Sequence, residues 1–254
     1  MSKLVEFPIN ANNKVEFGDA QEPVWYDLEE LKKHHINHYA QAGEDGLLEY
    51  IFENIIPKTY FAVEFGAGYV SKGMGTPNVR WLVEEFGWKC VMWEIVKKKI
   101  TKKYVHEEAV THENVNDLFE KYKVPRDVDI VVIDVDGQDY WIWESLEWKP
   151  QVVEIEFNTA LDFHESKVME KDSEHYTIRD TSSGNYGASV LALKKLGTKK
   201  GYTMIGRCGR NLFFVLNELV EGGYDVDIDD LDLEVCSVDK NRKVDKENEN
   251  WIEV

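Results

Sequence analysis

From residue 60 to residue 216, short apolar runs alternate with segments patterned as helices, and this alternation limits the fold more than any other feature of the chain. "YFAVEFG" (60–66), "KCVMWE" (89–94), "VDIVVIDVD" (128–136) and "PQVVEIEFN" (150–158) are rich in β-branched and aromatic residues and have the length of buried strands. A further strand is expected at the end of "KKKITKKYVHEEAV" (97–110). Between the strands lie "NVNDLFEKYKV" (114–124), stopped by Pro125, and "YWIWESLE" (140–147), with Asp139 as its expected N-cap. "TPNVRWLVEEFG" (76–87) reads as a helix with Thr76 as N-cap, Pro77 in the first helical position and Gly87 as terminator. "YGASVLALKKLGTKKG" (186–201) reads as a last helix, and "YTMIGR" with "NLFFVLN" as a closing antiparallel pair. Such alternation predicts an α/β fold, a mostly parallel sheet with helices on both faces. Ligands on these sheets sit beyond the strand C-termini, where the strand order reverses.

The flanks are less regular. Residues 1–40 form an N-terminal extension, with a hairpin expected from "KLVEF" and "KVEF" and a helical segment over 25–40. The histidines of that segment, His34, His35 and His38, read as a solvated face. "GEDGLLEYIFENI" (43–55) has apolar residues at 47, 48, 51, 52 and 55, a helical stripe that opens on Glu44 and Asp45 and closes before Pro57. The main domain spans 41–220; within it, 159–184 is too long for an idle connection and reads as a lid over an acceptor, with His164, His175 and Arg179 as contacts. Residues 221–254 form an acidic tail, its end expected to be mobile, in which "DVDIDDLDLE" alternates acids with apolar residues. A formal charge of −18, from 30 basic and 48 acidic residues, disfavours nucleic acid and anionic membrane surfaces as partners. The three scattered cysteines form no CxxC pair, the start "MSKLVEFPIN" lacks a signal-peptide core, and no apolar run reaches membrane-spanning length. The expectation is a soluble cytoplasmic protein; oligomeric state is not legible.

Chemistry concentrates at the expected strand ends. Asp134 and Asp136, two apart, would share one side of the chain if the strand continued that far. Glu156 and Asn158 repeat the spacing on the next strand. Such oxygen ligands suit magnesium, manganese or calcium, with Asp134, Glu156 and Asn158 as the metal set. A metal-free route would have Asp136, or His164 from the lid, take a proton directly. The bland alternative for the aspartates is a turn acid capping a helix, a role Asp139 fills better. "KKKITKK" reads as a solvated face, and Tyr140, Trp141 and Trp143 as packing residues.

At the first strand's end, "VEFGAG" brings Glu64, Gly66 and Gly68 together, and Glu94 closes the second strand, where an acid suits ribose hydroxyls. A dinucleotide needs G-x-G-x-x-G with a helix N-terminus against its pyrophosphate. Here the third position is Ser71, and Glu64 would crowd a doubly negative group. S-adenosylmethionine, with ribose hydroxyls, an ammonium and a sulfonium but no phosphate, fits these residues better. A tight strand–loop turn without ligand is the alternative for the glycines alone.

Together, "EDGLLEYIF", "VEFGAG", "RWLVEEFGW", "HENVNDLF", "DIVVIDVDGQDYWIW", "VVEIEFN" and "YGASVLALKKLGTKKGY" resemble an FkbM-like branch of the class I S-adenosylmethionine-dependent methyltransferases, over roughly residues 40–217. The resemblance implies a Rossmann-like seven-stranded sheet with an antiparallel last strand, and methyl transfer to a hydroxyl of a sugar, glycan or small molecule. By position it implies that Glu64, Gly66 and Gly68 line the methionine part of the cofactor and that Glu94 holds the ribose. It likewise places His112 to Asn114 near adenine and Asp134 beside the reacting methyl. The loop "YVSKGMGTPN" (69–78) carries no acid where the resembled pattern often has one. Two other classes stay open: an NAD-type oxidoreductase on a similar sheet, and a non-catalytic protein that keeps the sheet for partner binding.

Overall fold

The computed structural model describes residues 22–24, 26–68, 76–95, 102–171, 186–222, 224, 226–231 and 251–254. The expectations for an N-terminal hairpin, for His175 and Arg179, and for most of the acid-free loop and the "KKKITKK" run fall outside these residues. Five strands, β1 (Phe61–Phe65), β2 (Lys89–Glu94), β3 (Val105–Glu107), β4 (Ile130–Ile133) and β5 (Val152–Glu156), lie parallel. The hairpin strands β7 (Tyr202–Cys208) and β8 (Asn211–Leu216) follow later in the chain. β8 pairs antiparallel with both β5 and β7, so the seven-stranded order is β3-β2-β1-β4-β5-β8-β7. This is the expected Rossmann-like sheet with its last strand antiparallel. The order reverses between β1 and β4.

Alternation along each strand divides the core. Val63, Phe65, Trp93, Val131, Ile133, Val153 and Ile155 face one side, packed against α4 (Val115–Lys121), α5 (Asp139–Ser145) and α6 (Val190–Lys200). Ala62, Met92, Ile130, Val132, Val152 and Phe213 face the other, under α1 (Leu28–Lys33), α2 (Glu44–Asn54) and α3 (Arg80–Glu84). Strands buried on both faces read as continuous apolar runs, which is why they were legible. Trp143 and Tyr140 pack in the first core as expected, Trp143 fully buried and edge-on to Tyr202.

Several boundaries differ from expectation. The 25–40 segment is helical only over six residues, and its histidines are not simply solvated: His34 stacks on Tyr50 and His38 on Trp81. The helix expected from Thr76 begins at Arg80, and the Thr76 hydroxyl instead donates to the Tyr39 carbonyl. Within the expected lid, β6 (Lys167–Met169) pairs antiparallel with β9 (Trp251–Glu253). The end of the tail is therefore a strand held to the domain. Cys90 and Cys208 are free thiols. Among the described residues no helix is long and apolar enough to cross a membrane.

Candidate active site

The carboxyl ends of β1, β2, β4 and β5 carry the acids, all on the face covered by α1–α3. Glu64, Glu94, Glu154 and Glu156 share the strand parity of Ala62, Met92 and Val152, and each is buried. So many carboxylates on a buried sheet face have no packing rationale, because each costs desolvation free energy.

Gly66 sits at the reversal between β1 and β4. Its φ is +70°, and a Cβ there would lie 1.7 Å from the Asp134 carbonyl oxygen. Glycine is therefore required by the contact between two strand ends, and the same contact fixes where Asp134 starts. The Gly66 and Ala67 amides donate to the Trp93 carbonyl, and Gly68 N–H donates to Glu94 Oε2 at 3.0 Å. The glycine turn is thus tied directly to the acid that ends β2.

Glu64 does not lie open to a ligand. Its two oxygens accept from the amides of Asn78 and Val79, at 2.9 and 3.1 Å, at the entrance to α3. Burial raises its pKa to about 8 against those donors. Those amides are the ones a pyrophosphate would need. The Asn78 side chain then donates to Glu154 Oε1, which also accepts from Asn211, while Glu154 Oε2 is buried without a hydrogen-bond partner among the described residues.

Asn114 is likewise committed. Its Oδ1 accepts from Thr111 N–H and its Nδ2 donates to the Ala109 carbonyl, closing the loop after β3. The side chain in that loop that reaches across the edge is His112, whose Nδ1 lies 3.2 Å from Gln138 Oε1.

The strand β4 ends at Ile133, so the expected i, i+2 alignment of two strand acids does not apply. Asp136 takes a left-handed φ of +58° in the turn that follows. Asp139 makes that turn: it is the first residue of α5, not its cap, and its oxygens accept from Val135 and Gly137 N–H, both at 2.8 Å. By this route Asp134 and Asp136 still converge. Their carboxylates and that of Glu156 present oxygens all within 4.8 Å of one another.

The carboxylate cluster is thus Asp134, Asp136 and Glu156, adding Asp136 to the expected set; the Asn158 amide donates to the Tyr186 carbonyl and accepts from Ala160 N–H. His164 is elsewhere, exposed and 3.0 Å from Asp229 in a separate depression against α6. It is not brought to Asp134.

Burial and the charges of Asp136 and Asp139 raise the Asp134 pKa to about 7; Glu156 is raised well above the carboxylate range by burial and by Asp134. Glu156 Oε1 is buried and accepts no hydrogen bond, though Arg210 Nη2 is 3.3 Å away. Arg210, in the β7–β8 turn, was not anticipated; no local pattern links it to Glu156. Beside these groups lies a cavity of about 540 Å³, lined by Asp134, Glu156, Asn78 and Asn211 and by residues of α1, the 34–43 loop and the β7–β8 hairpin.

No protein-family model and no curated protein matches the chain. Similar solved structures include the MycE methyltransferase from the mycinamycin biosynthetic pathway in complex with Mg and SAH, 15% identical, with a TM-score of 0.44 over 80% of this chain and 58% of that one. The N-terminal domain of EvdMO1 in the presence of SAH and D-fucose is 11% identical, with a TM-score of 0.41 over 74% of this chain and 92% of that one. A SAM dependent methyltransferase from Archaeoglobus fulgidus is 14% identical, with a TM-score of 0.34 over 62% and 69%. This chain thus spans 58% of the length of the MycE chain. Likenesses of this order carry no weight for ligand or activity, and the fold rests on the strand order itself.

Proposed function

We propose that the protein is an S-adenosylmethionine-dependent O-methyltransferase of the FkbM-like kind, acting on a hydroxyl of a sugar, glycan or small molecule. The observation that carries this reading is the convergence of Asp134, Asp136 and Glu156 at the strand-order reversal, next to a glycine turn bonded to Glu94. When bound, S-adenosylmethionine supplies an electrophilic methyl on a sulfonium. The chain's own residues do the rest. Glu94, already holding the glycine turn, offers its carboxylate to the ribose hydroxyls; Gly66 and Gly68 keep the backbone low enough for a nucleoside to approach. His112 and Gln138 flank the adenine side. The acidic edge favours a sulfonium and an ammonium over a pyrophosphate. Glu64, spending its oxygens on the α3 amides, counts against the NAD alternative.

Asp134 takes the acceptor's proton. Raised to about 7, it is near the pKa at which a base is both deprotonated and strong enough to act at neutral pH. Asp136, Asp134 and Glu156 also fit a hard divalent cation such as magnesium, manganese or calcium: three oxygen donors are gathered and the buried Glu156 Oε1 lacks a hydrogen bond. Such an ion would acidify a bound hydroxyl. Chelation by EDTA separates the two routes, since turnover that survives it assigns the proton to Asp134 unaided.

Calorimetric titration with S-adenosylhomocysteine tests the reading. Binding should release heat and raise Tm, by the equivalent of about 2.7 kcal/mol at a hundredfold excess over Kd. A flat titration with an unchanged Tm removes the methyltransferase reading and leaves the non-catalytic alternative.

A further inference from the structure

Glu154 is the middle residue of β5, fully buried, with Val132 of β4 on one side and Phe213 of β8 on the other. An apolar side chain would suit that place better, because a buried carboxyl loses its hydration and Glu154 Oε2 has no hydrogen-bond partner among the described residues. What Glu154 does hold is a pair of amides. Its Oε1 accepts from Asn78 Nδ2 at 2.5 Å and from Asn211 Nδ2 at 2.8 Å. Those two bonds use both lone pairs of one oxygen, and that oxygen accepts them whether or not the carboxyl carries a proton on the other. The pattern is the same in either charge state.

Both asparagines line the cavity beside Asp134. Asn78 comes from the entrance to α3, where its own N–H donates to Glu64 Oε1. Asn211 opens β8 and stands opposite Glu156 and Cys208 in the ladder. Backbone and side chain of each are therefore held. With Nδ2 committed to Glu154, each amide has its Oδ1 left over, and no group among the described residues donates to either oxygen. The charged groups of the same cavity are largely engaged with other partners. Lys32 pairs with Glu29 at 2.7 Å, Arg210 stands 3.3 Å from Glu156, and Arg207 donates to the carbonyls of Leu231 and Gly209. Buried Glu44 adds an acid to the wall. A wall so mixed favours no single ligand charge, whereas two oriented amide oxygens call for hydrogen-bond donors.

We propose that Glu154 is a positioning residue: it turns the Asn78 and Asn211 amides so that their Oδ1 atoms face the cavity and accept from hydroxyls of an uncharged sugar, neighbours of the hydroxyl presented to Asp134. The inference deepens the methyltransferase reading, and rests on it, by naming acceptor contacts and what orients them. Left without Glu154, an asparagine amide can turn over and offer its NH₂ instead of its oxygen, so the buried acid sets which hydrogen-bonding sense the cavity presents. Holding such groups rigid from behind is what makes a site discriminate. A volume of about 540 Å³ lies in the range of small-ligand pockets and admits a monosaccharide. A sugar that lacks one of the matched hydroxyls would leave an amide oxygen unpaired in a closed site, which binding penalises.

The test is calorimetry on the full chain in the presence of S-adenosylhomocysteine. The probes are D-glucose, D-galactose and D-mannose, then the 2-, 3-, 4- and 6-deoxy forms of the one that binds best. The expected result is binding of a hexose and a loss of about ten- to hundredfold for the deoxy form that lacks a matched hydroxyl. Glu154→Met, of similar volume but without an oxygen, should bring the full hexose down to the affinity of that deoxy form and leave S-adenosylhomocysteine affinity unchanged. Glu154→Gln keeps a carbonyl oxygen for both amides and should restore the discrimination. A merely structural role would lower Tm without moving the ratio of hexose to deoxyhexose affinity. Equal affinity for the hexose and all its deoxy forms, no hexose binding, or discrimination that survives Glu154→Met overturns the proposal. If Glu154→Met fails to fold, Asn211→Leu, which removes one of the two oxygens, should abolish discrimination at one hydroxyl, and the deoxy comparison on the unaltered protein still decides. S-adenosylhomocysteine binding without hexose discrimination sinks only the acceptor contacts; hexose discrimination in a protein that gives no heat with S-adenosylhomocysteine sinks the methyltransferase reading.

Discussion

Strand β4 is bracketed by two aspartates, Asp129 before it and Asp134 after it, and they are used in opposite ways. Asp129, fully buried, accepts from the amides of Lys58, Thr59 and Phe61 and from the Thr59 hydroxyl, pinning the start of β4 to the entry of β1. Burial still raises its pKa, but four donors work against the shift. Asp134 instead stands among acids, its carboxylate gathered with those of Asp136 and Glu156, and burial and the charges of Asp136 and Asp139 raise its pKa. An acid that the chain itself satisfies serves the fold. An acid left among other acids destabilises the fold and makes sense only if a ligand, a proton or an ion completes it.

The sharpest break between the two is activity. Asp134→Asn should lower kcat about 10²- to 10⁴-fold, the usual range for losing a general base, with Tm unchanged or higher. Turnover equal to the unaltered protein would remove Asp134 from the chemistry. Asp129→Ala should do the reverse. It strands three backbone amides and should cost on the order of 3 kcal/mol of stability, read as a shifted denaturation midpoint. Turnover per folded molecule should stay the same; a selective loss of kcat would erase the distinction between the two ends.

The contrast also separates what could be read from the sequence from what could not. The apolar runs of β1, β2, β4 and β5 announce themselves, because strands buried on both faces need no polar alternation. The acids at their ends were visible for the same reason: they interrupt those runs. What failed was local geometry. The i, i+2 rule assumed that β4 extends through Asp136, whereas it stops at Ile133 and Asp139 folds the turn back through the amides of Val135 and Gly137. Asn158 was chosen by spacing alone, which did not show that its amide ties the strand end to Tyr186 and Ala160. Thr76 and Pro77 carried the signature of a helix start, yet Glu64, from β1, receives the amides of Asn78 and Val79 and the helix begins later. Arg210 and the β6–β9 pairing depend on contacts remote in sequence, for which no local pattern exists.

Asp139 gives a smaller, intermediate effect, because it stands between the two roles. Asp139→Ala releases the Val135 and Gly137 amides and with them the left-handed turn at Asp136. A cost of about 1–2 kcal/mol in stability is expected, with a fall in kcat. If Asp134 and Asp136 act together, EDTA sensitivity or the pH–rate profile should change as well, which loss of fold stability alone would not produce.

The smallest effect is in stability against pH. The folded-state pKa of Asp134 is raised from 3.8 to about 7, so between those values the native state keeps a proton that the unfolded chain has released. Stability from this group is therefore complete below about pH 4 and lost as pH rises through about 7. Glu156, Asp139 at about 6 and Glu64 at about 8 act in the same direction, with Arg210 opposing at Glu156. Tm measured by scanning calorimetry should fall from pH 5 to pH 8, and Asp134→Asn should flatten that slope by on the order of 2–4 °C while Asp129→Asn does not. A Tm that rises over the same interval would mean that the carboxylates beyond β4 are already compensated within the chain, and the two ends of the strand would then be alike.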